Sequence, residues 1–161
     1  MHNLIITLIS IQLFALVGFF SISYINPERK IENDIAMRME RSFNDGLDAF
    51  SLYRTANLDA QPSTLAQIFP AYGFLPPAPK GMSWTFGTGG ANGRYLCLSG
   101  PTGQLGVRAA QKMQQNFSTQ AMFIHSSCGV TTNAGFSPDG MQSGDVLNVA
   151  ITYWLSSYAA P

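Results

Sequence analysis

Residues 28–56 read ERKIENDIAMRMERSFNDGLDAFSLYRTA. Its apolar side chains recur every three or four residues, at Ile31, Ile35, Met39, Phe43, Leu47 and Phe50. Charged and polar residues occupy the positions between them, so the spacing predicts an amphipathic helix. Gly46 weakens the middle of this helix by about 1 kcal/mol relative to alanine. The apolar stripe is too short for a free-standing coiled coil, so we expect the helix to pack on a folded domain.

A second apolar run precedes this helix and extends from Leu4 to Ile25 without a charged residue. A helix of that length rises about 33 Å, enough to cross a hydrocarbon core of about 30 Å. A buried core helix is usually shorter than this run. A cleaved signal peptide begins with positively charged residues, and residues 1–3 include neither Lys nor Arg. We therefore expect residues 1–26 to be a transmembrane anchor that continues past Pro27 into a stalk helix.

Two signals disagree on which side of the membrane residues 27–161 lie. Arg29, Lys30, Arg38 and Arg41 follow the apolar run, and the positive-inside rule taken literally keeps the domain in the cytoplasm. Long domains, however, translocate with little regard to charge. We expect a single-pass protein of the bacterial inner membrane with its C-terminal domain in the periplasm.

The chain has two cysteines, Cys97 and Cys128, and these permit one intramolecular disulfide. The bridge would close a loop of about 30 residues and add roughly 3–4 kcal/mol of stability in an oxidising compartment. Two unpaired buried thiols are the alternative. We expect the disulfide.

Composition bounds the class of protein. The chain has 161 residues, which suffices for one domain beside one membrane segment. Apolar residues make up 46% and charged residues 11%, against roughly 25% charged in soluble domains. Nine basic and nine acidic residues cancel. Without a basic stripe, the sequence predicts no nucleic-acid binding.

The rest of the chain predicts a small α+β domain with a mainly antiparallel sheet. A short helix over 65–69 precedes a rigid proline-rich stretch, 72–79. We interpret this stretch as a connection held against the core by its aromatic residues, rather than as a ligand for aromatic grooves. The later elements are predicted as strands 83–86 and 94–98, a helix from 104 or 105 to 117, a strand over 120–126, a loop over 129–144 and a strand over 145–155. The glycine-rich residues 87–93 form a hairpin loop by composition.

No pattern predicts a catalytic, cofactor or metal site. Residues 87–90 lack the Lys-Ser/Thr ending of a phosphate loop and join two strands rather than a strand and a helix. His125 and Cys128 suggest a thiol nucleophile, but their odd offset sends strand side chains to opposite faces. A structural histidine is the favoured interpretation, and a membrane-tethered hydrolase or thiol enzyme is the least favoured hypothesis.

Acidic pairs are equally uninformative. Asp45 and Asp48 share a helix face, where carboxylates usually serve solvation. Asp139 and Asp145 bracket a glycine-rich loop that lacks the alternating oxygen ligands of a calcium site. We therefore predict a protein that is not an enzyme and has no cofactor.

The layout of the chain resembles the PilM family of thin-pilus accessory proteins from conjugative plasmids and related type IVb pilus loci. The features that carry the resemblance are the apolar run, the amphipathic helix ending in Tyr53-Arg54, the Leu75-Pro76-Pro77 stretch, the hairpin led by Trp84 and its glycine-rich turn. The resemblance implies a small inner-membrane protein serving the pilus basal body or pilin transport, with other pilus-assembly proteins or pilins as partners, oligomers being one option. It implies no catalytic residues.

The chain is also similar, more distantly, to type IV pilins and minor pilins, which join a membrane helix, a stalk and a small sheet with a C-terminal cysteine pair. Pilins usually carry glutamate at the fifth mature position, which is Ile5 here if Met1 is the mature N-terminus. If Met1 is instead a start codon, the basic leader ending in glycine that a prepilin carries is not found, and on either reading a major pilin is not expected. The expected function is thus a non-enzymatic component of type IV pilus biogenesis, with a minor pilin of the filament as the alternative.

Overall fold

The computed structural model describes residues 2–24, 27–89, 93–117, 121–142 and 144–155, and within the first helix it describes side chains over residues 5–17. The helices are α1 (His2–Tyr24), α2 (Pro27–Ala56), α3 (Leu65–Ile68) and α4 (Gln104–Asn116). The strands are β1 (Ser83–Thr88), β2 (Arg94–Thr102), β3 (Met122–His125) and β4 (Leu147–Trp154), and a 3-10 turn covers Pro138–Gly140. The chain divides into two units, Met1–Ile31 and Glu32–Pro161.

The first unit contains α1, whose described side chains, residues 5–17, are all exposed. Among the residues that the structure describes, no helix combines the length and the apolar character needed to cross a membrane. Leu4 and residues 18–25 of the predicted span lie outside the side chains that the structure describes.

Two predictions are therefore wrong. The fold class was predicted as a transmembrane helix running from Leu4 to Ile25 into a stalk and sheet domain, and the location as a single-pass protein of the inner membrane with a periplasmic domain. The structure supports the α+β part, helices with a four-stranded antiparallel sheet, and does not support the membrane span.

The second unit is organised by α2, as the apolar spacing predicts. Met39, Phe43, Leu47 and Phe50 are all buried in the core. Small residues fill the same face, since Ala36, Gly46 and Ala49 are buried too. A Cβ on Gly46 would come within 2.9 Å of Leu96 Cδ2, so glycine lets α2 lie close to the sheet.

The four strands form one antiparallel sheet in the order β1-β2-β4-β3. Because side chains alternate along a strand, the registers Trp84↔Leu98 and Leu98↔Ile151 place these three residues on one face, here named face A. Cys97 and Thr152 are paired across β2 and β4 and belong to the opposite face, named face B.

The two long helices of this unit lie against face A. Phe43 of α2 meets Trp84 edge-on, with ring centroids 5.0 Å apart, and its centroid is 6.4 Å from that of Phe117, just after α4. The Phe117 ring also lies 6.0 Å from Tyr153 of β4. Asn116 Nδ2 donates to Glu40 Oε2 at 2.9 Å and ties the end of α4 to α2.

The positions of the elements follow the sequence pattern, and their ends do not. The predicted strand over 94–98 continues to Thr102, because Gly100 and Pro101 still pair with Val149 and Asn148 of β4. The strand predicted over 120–126 is shorter, Met122–His125, and residue 120 lies outside the described residues. The hairpin loop predicted over 87–93 begins later, since Gly87 and Thr88 belong to β1 and pair with Tyr95 and Arg94 of β2. Residues 90–92 are not described.

We predict that Phe43→Ala lowers the free energy of unfolding by about 3–5 kcal/mol, because a fully buried ring in contact with two other aromatic rings leaves a cavity. Urea unfolding followed by circular dichroism measures the loss. The matched control is Phe74→Ala, since Phe74 is 73% exposed and its removal should change stability by no more than about 0.5 kcal/mol. Equal losses for the two variants would contradict the assignment of Phe43 to the core.

Candidate functional site

A groove of about 630 Å³ lies between one face of α2 and the proline-rich segment, and we name it the α2 groove. Helix α2 contributes side chains at spacings of three and four, which places them on one helix face. The lining residues are Ile35, Arg38, Arg41, Ser42 and Asp45 from α2, and Phe74, Pro76, Pro77, Ala78, Pro79 and Lys80 from the segment. Helix α2 therefore lines the groove with one face and packs on the sheet with another.

The charged side chains of the α2 groove are mainly cationic. Arg38, Arg41 and Lys80 are exposed, and Asp45 is the only acidic residue in the lining. Among the described residues, ion pairs join Arg54 to Asp59 and Arg108 to Asp139, and none involves a groove residue. Although Arg41 and Asp45 lie one helical turn apart, they do not pair, and the groove keeps a local positive charge.

The proline-rich wall is held in place from both ends. Trp84 Nε1 donates to the Pro76 carbonyl at 2.9 Å, and the Met82 N–H donates to the Pro79 carbonyl at 2.9 Å. Before the prolines, the chain comes so close to α2 that a Cβ on Gly73 would lie 2.6 Å from the Ala49 Cβ. This agrees with the predicted connection held against the core, although its exposed Phe74 does not do the holding.

Cys97 and Cys128 form a disulfide, and it fastens the chain after β3 to face B. Next to it, the Gly129 N–H donates to Thr152 Oγ1 at 3.1 Å, and this hydroxyl lies 3.6 Å from Cys97 Sγ. Gly129 adopts φ +79°, and an added Cβ would lie 2.9 Å from the Tyr95 ring. The bridge therefore covers a buried part of the sheet and leaves no thiol for nucleophilic chemistry.

His125 is half-buried at the end of β3 and lies 3.3 Å (Nδ1) from the hydroxyl of Ser126. By strand alternation it shares face B with Cys97, because His125 pairs with Ala150, two residues before Thr152. The expected separation of His125 and Cys128 depended on strand alternation, but β3 ends at His125. Cys128 lies beyond the strand and bonds to Cys97 of face B, so the alternation does not separate the two residues.

The predicted acidic pairs are not brought together as sites. Asp139 pairs with Arg108 at 2.7 Å, and Asp145 Oδ2 accepts from the Gln142 N–H at 2.7 Å. Asp45 lines the α2 groove, and Asp48 is exposed on α2. Within the described ranges, no cluster of three or more His, Cys, Asp or Glu side chains is placed to hold a metal ion.

The two edges of the sheet differ. At β3, the Ile124 N–H donates to Asn133 Oδ1 at 2.9 Å and the Ile124 carbonyl accepts from the Ala134 N–H at 2.8 Å, so this edge is covered. At β1, the described part of the chain supplies no backbone partner beyond β2. The β1 edge thus presents the unpaired backbone groups to which a partner strand can add.

No protein-family model matches the chain, and comparison with curated proteins and with solved structures gave no significant match. The resemblance to pilus accessory proteins accordingly stays a prediction.

Sequence reasoning did not find the α2 groove. Its signal was present in α2, where Arg38, Ser42 and Asp45 repeat with helical spacing beside the apolar stripe to which Ile35 belongs. The second wall, residues 74–80, follows well after α2 ends at Ala56, and only the tertiary fold brings it next to α2.

We predict that reduction of the Cys97–Cys128 bridge lowers the free energy of unfolding by about 3–4 kcal/mol, because the open loop regains conformational entropy in the unfolded chain. Urea unfolding with and without a phosphine reductant measures the difference. The doubly substituted Cys97→Ala, Cys128→Ala protein is the control and should not respond to the reductant. Two titratable thiols in the denatured, unreduced protein would contradict the bridge.

We predict that Asn133→Ala lowers stability by about 1–3 kcal/mol, because the buried Ile124 N–H loses its acceptor. Asn133→Asp keeps an oxygen in that position and should lose less than half as much. Urea unfolding gives the stabilities, and hydrogen exchange at the Ile124 amide reports the edge directly. Unchanged exchange in Asn133→Ala would show that this side chain does not protect the strand.

Proposed function

We propose that this chain is a non-enzymatic, protein-binding component of type IV pilus biogenesis of the conjugation type, serving the basal body or pilin transport. The observation that carries the proposal is the α2 groove, in which apolar side chains stand beside Arg38, Arg41 and Lys80. Apolar walls with cations that lack an internal partner are the features of a surface completed by another molecule. The open β1 edge offers a second place for a partner backbone to pair.

The pilus context comes from the resemblance in layout. A 30-residue helix packed on a four-stranded antiparallel sheet, with a disulfide fastening the later chain, supports that context. Two stretches that carry the resemblance, Tyr53-Arg54 and Leu75-Pro76-Pro77, make stabilising contacts in this fold. The Tyr53 ring lies 5.3 Å from Tyr72, and Pro76 accepts the Trp84 indole hydrogen bond.

A minor pilin of the filament is the second candidate, and one observation favours it. Nine large apolar side chains of α1 are 51–85% exposed, from Ile5 to Val17. Contiguous apolar surface of this kind is usually covered by another molecule, and in a filament further copies of the chain would cover it.

Deletion of the gene in a strain that makes type IV pili tests the proposal. We expect loss of surface filaments and of pilus-dependent mating, restored by the wild-type gene on a plasmid. A groove variant, Arg38→Glu with Arg41→Glu, should fail to restore them, whereas Arg108→Glu, which changes a cation outside the groove, should succeed. Normal filaments in the deletion strain would contradict the proposal.

Sheared filaments from the complemented strain distinguish the two candidates. An accessory component should be absent from the filament fraction by immunoblot while the cells retain it. Stoichiometric presence in the filaments would instead identify a minor pilin.

A further inference from the structure

The α2 groove has a charge that its own chain does not neutralise. We infer, on the basis of the proposed protein-binding role, that it receives an acidic segment of a partner protein in extended conformation. Three cationic side chains and one acidic side chain line it, which leaves an excess of two positive charges (3 − 1) in a chain whose formal net charge is zero. The attraction is therefore local to the groove rather than a property of the whole surface.

The cations of α2 are spaced for more than one carboxylate. Arg38 and Arg41 are three residues apart on one helix face, so their Cβ atoms lie about 5–6 Å from each other. Lys80 stands on the other wall, at the end of the proline-rich segment. Arginine binds carboxylates through two parallel hydrogen bonds, and an acidic residue between the walls meets a cation on either side.

The groove also offers apolar contact, which an inorganic anion does not use. Ile35 and Ala78 are partly buried and packed against the core, so they form a rigid apolar surface. Phe74 is 73% exposed beside them and is free to cover an apolar side chain of a ligand. At about 630 Å³, the groove falls within the roughly 300–1,000 Å³ of pockets that hold sizeable ligands.

The proline-rich wall favours a polypeptide over a nucleic acid. Residues 76–79 include three prolines, which have no N–H, so the wall offers mainly carbonyl acceptors. Two of these carbonyls, Pro76 and Pro79, are already bonded, and the described residues supply no donor to those of Pro77 and Ala78. A peptide backbone supplies N–H donors for these two carbonyls, whereas a phosphodiester backbone supplies none. Each nucleotide also carries a negative charge, which Asp45 repels.

Fluorescence anisotropy with a labelled synthetic peptide tests the inference on the full chain. The probe is a dodecapeptide with four acidic and three apolar residues separated by Gly and Ser, and the comparison peptide replaces each Asp by Asn and each Glu by Gln. We expect saturable binding of the acidic peptide with affinity at least about tenfold above that of the amide peptide. Raising the salt concentration should weaken it, because the groove cations are exposed.

Variants locate the binding. Arg38→Gln with Arg41→Gln should lower the affinity by about tenfold, and the double glutamate variant should lower it further, because like charges then face the peptide. Arg108→Gln removes one cation outside the groove and should leave the affinity unchanged. Circular dichroism and urea unfolding check that each variant is folded. Arg38 and Arg41 are exposed on α2, and Arg108, which is half-buried on α4, is checked in the same way because it pairs with Asp139.

Four results would overturn the inference: no binding of the acidic peptide at 1 mM (~4 kcal/mol or less of affinity), equal binding of the amide peptide, unchanged affinity in the groove variants, or stronger binding of a labelled oligothymidylate. Dimerisation that the groove variants abolish would assign the groove to a second copy and overturn it as well. The pilus assignment is tested separately from the groove inference, because its failure would be seen as normal filaments in the deletion strain. Peptide binding with normal filaments would retain the groove chemistry and reject the pilus role.

Discussion

The buried contact between the apolar stripe of α2 and face A of the sheet is the constraint on which the second unit depends. Phe43 stands at its centre, between Trp84 of the first strand and Phe117 at the end of α4. One ring therefore holds together three elements that are far apart in sequence. A stripe of this kind repeats every 3.6 residues, so burying it also fixes which side chains of α2 face outward.

The α2 groove and the disulfide are consequences of that arrangement on opposite sides of the molecule's core. Once α2 lies on face A, its outward face meets the proline-rich segment, whose position is set by the Trp84–Pro76 hydrogen bond. Face B has no long helix against it among the described residues. There the chain after β3 covers the sheet, held by Cys97–Cys128 and by the Gly129–Thr152 hydrogen bond.

Local periodicity predicted the elements because each depends on neighbours in sequence. The stripe from Met39 to Phe50 identified α2, and alternating residues identified the strands. Strand ends were misplaced because register, as at Gly100 with Val149, is a property of two strands. Apolar length alone was a poor guide to a membrane span. The α2 groove escaped prediction because its walls, Arg38 and Arg41 on one side and residues 74–80 on the other, are joined only by the tertiary fold.

Under the proposed protein-binding role, a groove with an excess of positive charge in a neutral chain has a physical advantage. A strongly basic protein attracts every polyanion over several nanometres at low salt, and its association is unselective. Here the long-range field cancels, and attraction develops only when an acidic group reaches Arg38 and Arg41. Selectivity then comes from short-range requirements that must be met together: carboxylates for the cations, an apolar side chain for Phe74, and backbone donors for the proline-rich wall. Each is weak by itself at an exposed site, so recognition depends on one segment that meets all three.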